Sequence, residues 1–451
     1  MCLKSIICNF NIFLSQEHKD LISTLLFQMW RFVAGPLTLF LIPIFLSEVE
    51  QGYWYLFVSL SALSVFADLG FSNIILQFSA HEFAFLSFNS KGLIEGDDFH
   101  LTKLSSFFRF TLKWISIICL IVFPIIYIIG VWYLYNDDVI VKYILPWTIY
   151  SLGALLNFFC YSILSYIEGL NKVELTQNIR LITTIINTII VASLLMLGVN
   201  IYALAFGLLI SSIITSVLIL YRFHTLFFQL LSISKVNNYG WRNKVLPLFS
   251  KYVLSFSSGY FIFNAYTPLM HYFHGPAQSG KVGISLALAT TFFNMSNIWI
   301  YTITPRINML VSTKNKTSLD LLFNKRLLYA IITYITMVGG LFIFIAFFKN
   351  FWFVPNIIDR FLPLQAILML LTCYFLQLII NSWAIYLRAH KREPYMIPSI
   401  ILAFWIIFTT VYTGYNLAPD YFFVGFLSSF LWWLPVTYLI YIHSQRNWYE
   451  Q

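Results

Sequence analysis

Four ionisable residues interrupt long apolar stretches of this 451-residue chain: Arg31, Asp68, Lys251 and Arg306. Burying a charge in hydrocarbon is costly, so each is a candidate for function. Arg31 lies about 14 Å into its stretch and Asp68 about 16 Å into the next, at the helical rise. They could pair across adjacent antiparallel helices and lock them together. Alternatively, Arg31 faces a wet cavity and binds an anion, with Asp68 as its switchable counter-ion. Lys251 and Arg306 sit four or five residues deep, within snorkelling reach of the interface. Arg306 follows Pro305, whose helix break exposes backbone groups, and this favours a cavity role. Polar residues on the same two stretches, Tyr260, Asn264, Tyr266, Asn294, Asn297 and Tyr301, could extend that wall. Aromatic faces beside amides suit sugar rings. The alternative use of such residues is polar glue between helices.

The elements that must hold these residues follow from composition. Hydrophobic residues make up 59% of the chain, charged residues 10% and aromatics 19%. Soluble domains carry about 25% charged residues. The solvent for most of this chain is therefore lipid, which excludes a soluble enzyme, a nucleic-acid binder and a secreted disulfide scaffold. Twelve stretches are long enough to span: 22–46, 53–79, 114–135, 143–166, 181–197, 202–221, 247–272, 282–311, 328–348, 362–386, 397–414 and 422–442. The alternation of a membrane β-barrel is absent, so the expected class is an all-α integral membrane protein.

An even number of spans puts both termini on one side. With that side cytoplasmic, 20 Lys and Arg fall in inner segments and four (Lys142, Lys281, Lys349 and Arg360) in outer loops. The positive-inside rule supports this orientation. Most of the net charge of +9 is thus a topological signal. The outer loops are short, with no room for a folded outer domain. The five cysteines are scattered and no C-x-x-C occurs. His81-Glu82 lacks the second histidine of a zinc motif, and no phosphate-binding G-x-x-x-x-G-K-[ST] is present. No metal, nucleotide or other cofactor is expected. The apolar run at 6–14 has no small-residue cleavage site after it, so a short interfacial helix is expected there.

The chain divides near residue 224 into two six-span halves, 1–223 and 224–451. Gly35-Pro36 and Pro43 interrupt the first span of one half; Gly259 and Pro268 interrupt that of the other. Interrupted helices at matching positions point to a transporter site between repeats. The basic linker contains 226–231, an apolar run expected to lie along the interface.

Glu50-Gln-Gly-Tyr-Trp-Tyr-Leu-Phe-Val-Ser-Leu60, Ala67-Asp-Leu-Gly-Phe-Ser72 and Gln77-Phe-Ser-Ala-His-Glu82 together resemble the Wzx-type O-antigen flippases. These form a polysaccharide branch of the multidrug/oligosaccharidyl-lipid/polysaccharide exporter superfamily. Ile167-Glu-Gly-Leu-Asn-Lys-Val173, Gly259-Tyr-Phe261, Gly275-x-Ala277-Gln-x-Gly280, Thr304-Pro-Arg306 and the segment Tyr386 to Tyr395 are similar to the same family. The resemblance runs from about residue 22 to 443.

It implies a MATE-like fold: two six-helix bundles related by a pseudo-two-fold axis around a V-shaped cavity. It implies a flippase of the bacterial cytoplasmic (inner) membrane. The substrate would be an undecaprenyl-diphosphate-linked oligosaccharide, an O-antigen or lipopolysaccharide repeat unit, moved by alternating access. Arg31, Arg306, Lys251, Tyr260, Asn264, Asn294 and Asn297 would bind it. Asp68 would serve H+ or Na+ coupling. Polysaccharide polymerase and chain-length machinery would be partners, besides membrane lipid. Two alternatives stand beside this reading. A MATE-type small-solute antiporter would favour a smaller, more acidic cavity than the three cations suggest. An O-antigen polymerase or other polyprenyl-linked membrane enzyme would need outer-loop carboxylates; Glu48, Glu50, Asp137 and Asp138 lie there without a large loop.

Overall fold

In a computed structural model, residues 16–68, 70–90, 92–233, 239–243, 245, 258–312, 315–348, 354–390 and 394–450 are described. Lys251 and the run 6–14 lie outside them. The described chain is overwhelmingly helical. Nine of its helices are long and apolar enough to cross a membrane.

The first part runs as α1 (Gln16–Phe45), α2 (Glu48–Ser61), a 3-10 turn (Ala62–Ser64), α3 (Val65–Asp68) and α4 (Phe71–Phe83). A two-stranded antiparallel hairpin follows, β1 (Leu86–Phe88) on β2 (Ile94–Gly96), with Ser87 opposite Glu95. Four long helices come next: α5 (Asp98–Asn136), α6 (Ile140–Gly169), α7 (Val173–Met196) and α8 (Tyr202–Ser232). The second part contains a helical turn at 258–263, α9 (Tyr266–Tyr301), α10 (Thr304–Ser312), α11 (Lys316–Phe348), α12 (Val354–Ile358), α13 (Leu364–Ala389), α14 (Met396–Asn416) and α15 (Val424–Glu450).

Three expected spans depart from a single helix; the described part of 247–272 is split at 264–265, between the 258–263 turn and α9. The stretch 53–79 is broken between α2 and α4. Gly70 adopts a left-handed φ of 78°, and the Asp68 carboxylate accepts from the amides of Gly70 (3.2 Å) and Ser72 (3.0 Å) and from the Ser72 hydroxyl. Those acceptors replace helical carbonyls where the ladder stops. The stretch 282–311 starts earlier and ends sooner. Gly275, at φ 81° and ψ −179°, kinks α9, and Pro276 opens the second arm. What reads in the sequence as an outer loop over 273–281 is therefore helical apart from a one-residue kink that only glycine enters without strain. At its other end α9 stops at Tyr301, and α10 restarts at Thr304.

The helices also run past their expected inner ends. α5 begins 16 residues before the expected start at 114, and α8 continues through 222–232. The run 226–231 is thus the last turns of a spanning helix. Leu226 and Leu230 are buried while Phe228 is exposed.

The chain packs into two compact units, Met1–Thr38 with Leu63–Val253, and Leu39–Ala62 with Leu254–Gln451. These boundaries differ from the chain halves at 223/224, for packing reasons visible within each unit. In the second unit, α2 lies very close to α9. A Cβ on Gly52 would overlap the Pro276 carbonyl, and one on Gly283 would overlap the Tyr55 ring. Small residues permit this backbone approach, as in membrane helix pairs generally. Gln51 Nε2 reinforces it by donating to the Gly280 carbonyl at 2.9 Å and to that of Arg360 at 3.2 Å. In the first unit, Trp241 from beyond the chain midpoint packs between the rings of Phe78 (5.9 Å) and Phe107 (4.8 Å). Gln229 clamps the free edge of β2, accepting from the Ile94 amide (2.8 Å) and donating to its carbonyl (2.7 Å).

Candidate functional site

In the second unit, α9 and α13 bring a line of polar side chains together. Thr290, Asn294, Asn297 and Tyr301 recur at helical spacing on α9, and Tyr374, Gln377 and Asn381 do so on α13. Thr290 donates to the Tyr374 hydroxyl at 3.2 Å. Asn381 Nδ2 donates to Asn297 Oδ1 at 3.2 Å and reaches the Tyr301 hydroxyl at 3.5 Å. Asn297 is fully buried, yet among the described residues its Nδ2 has no partner; Gln377 Oε1 is likewise buried and unmatched there. Buried amide atoms without partners are rare because each forfeits a hydrogen bond to water. One donor and one acceptor left open along the same stripe can take a hydroxylated ligand or ordered water.

The other candidates of this unit fall on and around that stripe. Asn294 and Tyr301 are exposed. Tyr260 is buried and donates to the Ser59 carbonyl at 3.4 Å, while the Ser59 hydroxyl donates to the Asn264 carbonyl. Those two residues thus join the 258–264 turn to α2. Tyr266 is buried among Phe422, Phe423 and Phe426, its ring 5.0 Å from that of Phe423, so it packs a core. Arg306 is exposed on α10, just beyond the α9 break, with no acidic partner among the described residues. Among the described residues no carboxylate belongs to the stripe.

In the first unit, Arg31 is exposed on α1 with its guanidinium 5.7 Å from the Phe27 ring centroid. Among the described residues no ion pair joins it to Asp68. The interhelical lock considered from the sequence is not formed, because the Asp68 carboxylate is taken up by the α4 cap.

The structure adds a charged cluster that the spacing did not reveal. Glu82, only 2% exposed at the inner end of α4, receives Lys103 Nζ at 2.5 Å and His100 Nδ1 at 2.9 Å; His81 Nδ1 lies 3.6 Å away. Asp97, which caps α5 through the His100 amide, is 4.0 Å from His100 Nε2. Phe85 stacks on the His100 ring at 4.0 Å. Burial pushes the Glu82 carboxyl up, but the hydrogen bonds and charges of Lys103 and His100 outweigh it and hold it below the ordinary value. The available signal was His100 and Lys103 at i, i+3 on the first turns of the next helix, one hairpin away from Glu82. Deeper in the sequence, Arg180 meets Glu168 at 2.8 Å, and Gln177 donates to the same carboxylate.

No family model and no curated protein matches the chain. Solved structures do. An inward-facing multidrug resistance MATE family transporter of the MOP superfamily aligns with a TM-score of 0.59 at 13% identity, over 95% of this chain and 96% of that one. A MATE transporter from Vibrio cholerae aligns at 0.55 with 12% identity, over 97% of both chains. An outward-facing MATE family transporter aligns at 0.51 with 14% identity, over 96% of both. The chain therefore has the all-α membrane fold of MATE transporters along nearly its whole length.

Proposed function

We propose that this chain is a transporter of the Wzx type, flipping an undecaprenyl-diphosphate-linked oligosaccharide across the bacterial cytoplasmic membrane by alternating access. The observation that carries this reading is the amide stripe of α9 and α13, which holds no acid among the described residues; Arg306 follows on α10, just beyond the end of α9. Amides and phenols match sugar hydroxyls, and a guanidinium matches a phosphate. A diphosphate needs such partners because hydrocarbon cannot solvate it. Asn294 and Asn297 bind sugar, with Tyr260 and Asn264 shaping the wall. Arg31, Arg306 and Lys251 hold the anionic group. Asp68 is the coupling carboxylate for H+ or Na+: a proton on it would weaken its acceptor bonds to Gly70 and Ser72. The two expected halves act as repeats, and polymerase and chain-length machinery receive the flipped unit.

A second reading, a MATE-type small-solute antiporter, is favoured by the multidrug MATE transporters that share the fold. Deleting the gene separates the two. Under the flippase reading, lipid-linked repeat units accumulate on the inner face and surface polymer is lost. Normal polymer together with increased sensitivity to cationic dyes would favour the antiporter. Unpolymerised units on the outer face would indicate a polymerase and overturn both.

A further inference from the structure

The first unit contains a cavity that the transport reading does not use. It measures about 280 Å³ and opens between α5, α6 and α8. Phe108, Leu112, Ile163, Ile219, Phe227 and Leu231 form most of its wall. Phe108 and Phe227 stack almost parallel, 5.4 Å apart, and make one side rigid. Its polar content is one pair, Cys160 Sγ and Ser216 Oγ at 3.1 Å, already satisfied by each other. An apolar recess of this kind attracts no water, so hydrocarbon is the occupant its chemistry selects.

A cation stands beside its mouth, with two more close by in sequence. Arg109 follows Phe108 and donates through Nη2 to the carbonyls of Leu231 (2.7 Å) and Ile233, which holds the guanidinium at the mouth beside a wall residue. Lys113 follows Leu112, and Arg222 lies within a turn of Ile219; both are exposed. None of these three cations has an acidic partner within 4.0 Å among the described residues. All three lie at the basic ends of their helices, the side expected to face the anionic leaflet.

We propose that this recess is a binding site for an anionic membrane phospholipid. One acyl chain fills the cavity and the phosphate sits against Arg109, with Lys113 and Arg222 adding charge. The forked guanidinium presents N–H donors that match phosphate oxygens even while two carbonyls are served. The bound lipid would brace the inner ends of α5, α6 and α8 where they outrun the expected spans.

The test is native mass spectrometry of the full chain released from detergent with phosphatidylglycerol or phosphatidylcholine of the same acyl chains. The wild type is expected to retain phosphatidylglycerol in preference by about fivefold per engaged cation. Arg109→Gln and, independently, Arg222→Gln should each lower the preference. Leu220→Trp and Leu231→Trp, both at the exposed rim, should obstruct the cavity and reduce retention of either lipid. Glycerol phosphate, a head group without chains, should not displace the lipid. Equal retention of the two lipids by the wild type would overturn the proposal. So would wild-type retention in both tryptophan variants, or displacement by glycerol phosphate alone.

Discussion

Glu82→Gln isolates the charge of the α4–α5 cluster with little change of shape. The carboxylate is buried, while the side chains of Lys103 and His100 are 15% and 19% exposed. Breaking a fully buried pair by removing one partner costs about 3–5 kcal/mol. Lys103 keeps some access to water, and its ammonium stays 5.7 Å from the Phe99 ring centroid and 6.0 Å from that of Trp241. We therefore expect a loss of about 2–3 kcal/mol, or about 5–10 °C in the unfolding midpoint of a unit this size. The pH dependence has a definite sign. The folded Glu82 carboxyl lies below its ordinary value, so its stabilisation is fully present above the unfolded pKa of about 4.3 and is lost as pH falls through the folded value. The gap between wild type and variant should hold steady from pH 8 to 5 and close only in stronger acid. Pairing the change with Lys103→Met should recover much of the loss, because no buried ammonium is then left over. The assay is intrinsic fluorescence during heating in mild detergent. A midpoint shift under 1–2 °C, or a gap that closes between pH 8 and 6, would refute the account of Glu82 as a charge buried for its cationic partners.

Three further outcomes are expected. Arg31→Ala and Arg306→Ala should each abolish surface polysaccharide while the protein still inserts, read by blotting and polymer staining; wild-type polymer in both would remove the anion-binding role. Asp68→Asn keeps a capping oxygen but loses the charge, so it should impair transport with little change in the melting midpoint, whereas Asp68→Ala should cost about 1–2 kcal/mol of stability as well. Asn381→Leu leaves Asn297 with both amide atoms open and should cost about 1–3 kcal/mol, while the double change to leucine should restore most stability and still abolish transport.

The class of fold was legible because lipid imposes a blunt rule: each spanning segment must satisfy its own backbone. Span existence therefore followed from apolar length. Breaks did not, since they depend on single residues whose role is set locally. Gly70 read as an ordinary membrane glycine and Gly275 as one residue of an outer loop, yet each holds a positive φ where a helix is interrupted. Asp68 read as an isolated charge because hydropathy records no cap. The unit boundary was hidden for a related reason. Residues 39–62 precede the chain midpoint by a wide margin, but Gly52, Gly280 and Gly283 allow a backbone approach that joins them to the second unit. The stripe was half legible: Asn294 and Asn297 stood out on α9, while Gln377 and Asn381 passed unnoticed within an unremarkable span.

The carboxylates also explain why the charges left within the apolar stretches are cationic. Glu82 is engaged by Lys103 and His100, Glu168 by Arg180, and Asp320 by the Tyr386 hydroxyl and Gln445. Asp68 is engaged by backbone amides and a serine. Each of these acids is thus matched by donors on its own unit. Arg31 and Arg306 are exposed and have no such match among the described residues. An exposed guanidinium without a protein counter-ion is free to take an anion from elsewhere. Under the proposed flippase reading, that inequality between matched acids and unmatched bases suits an anionic cargo. It does so without reference to which sugars the cargo bears.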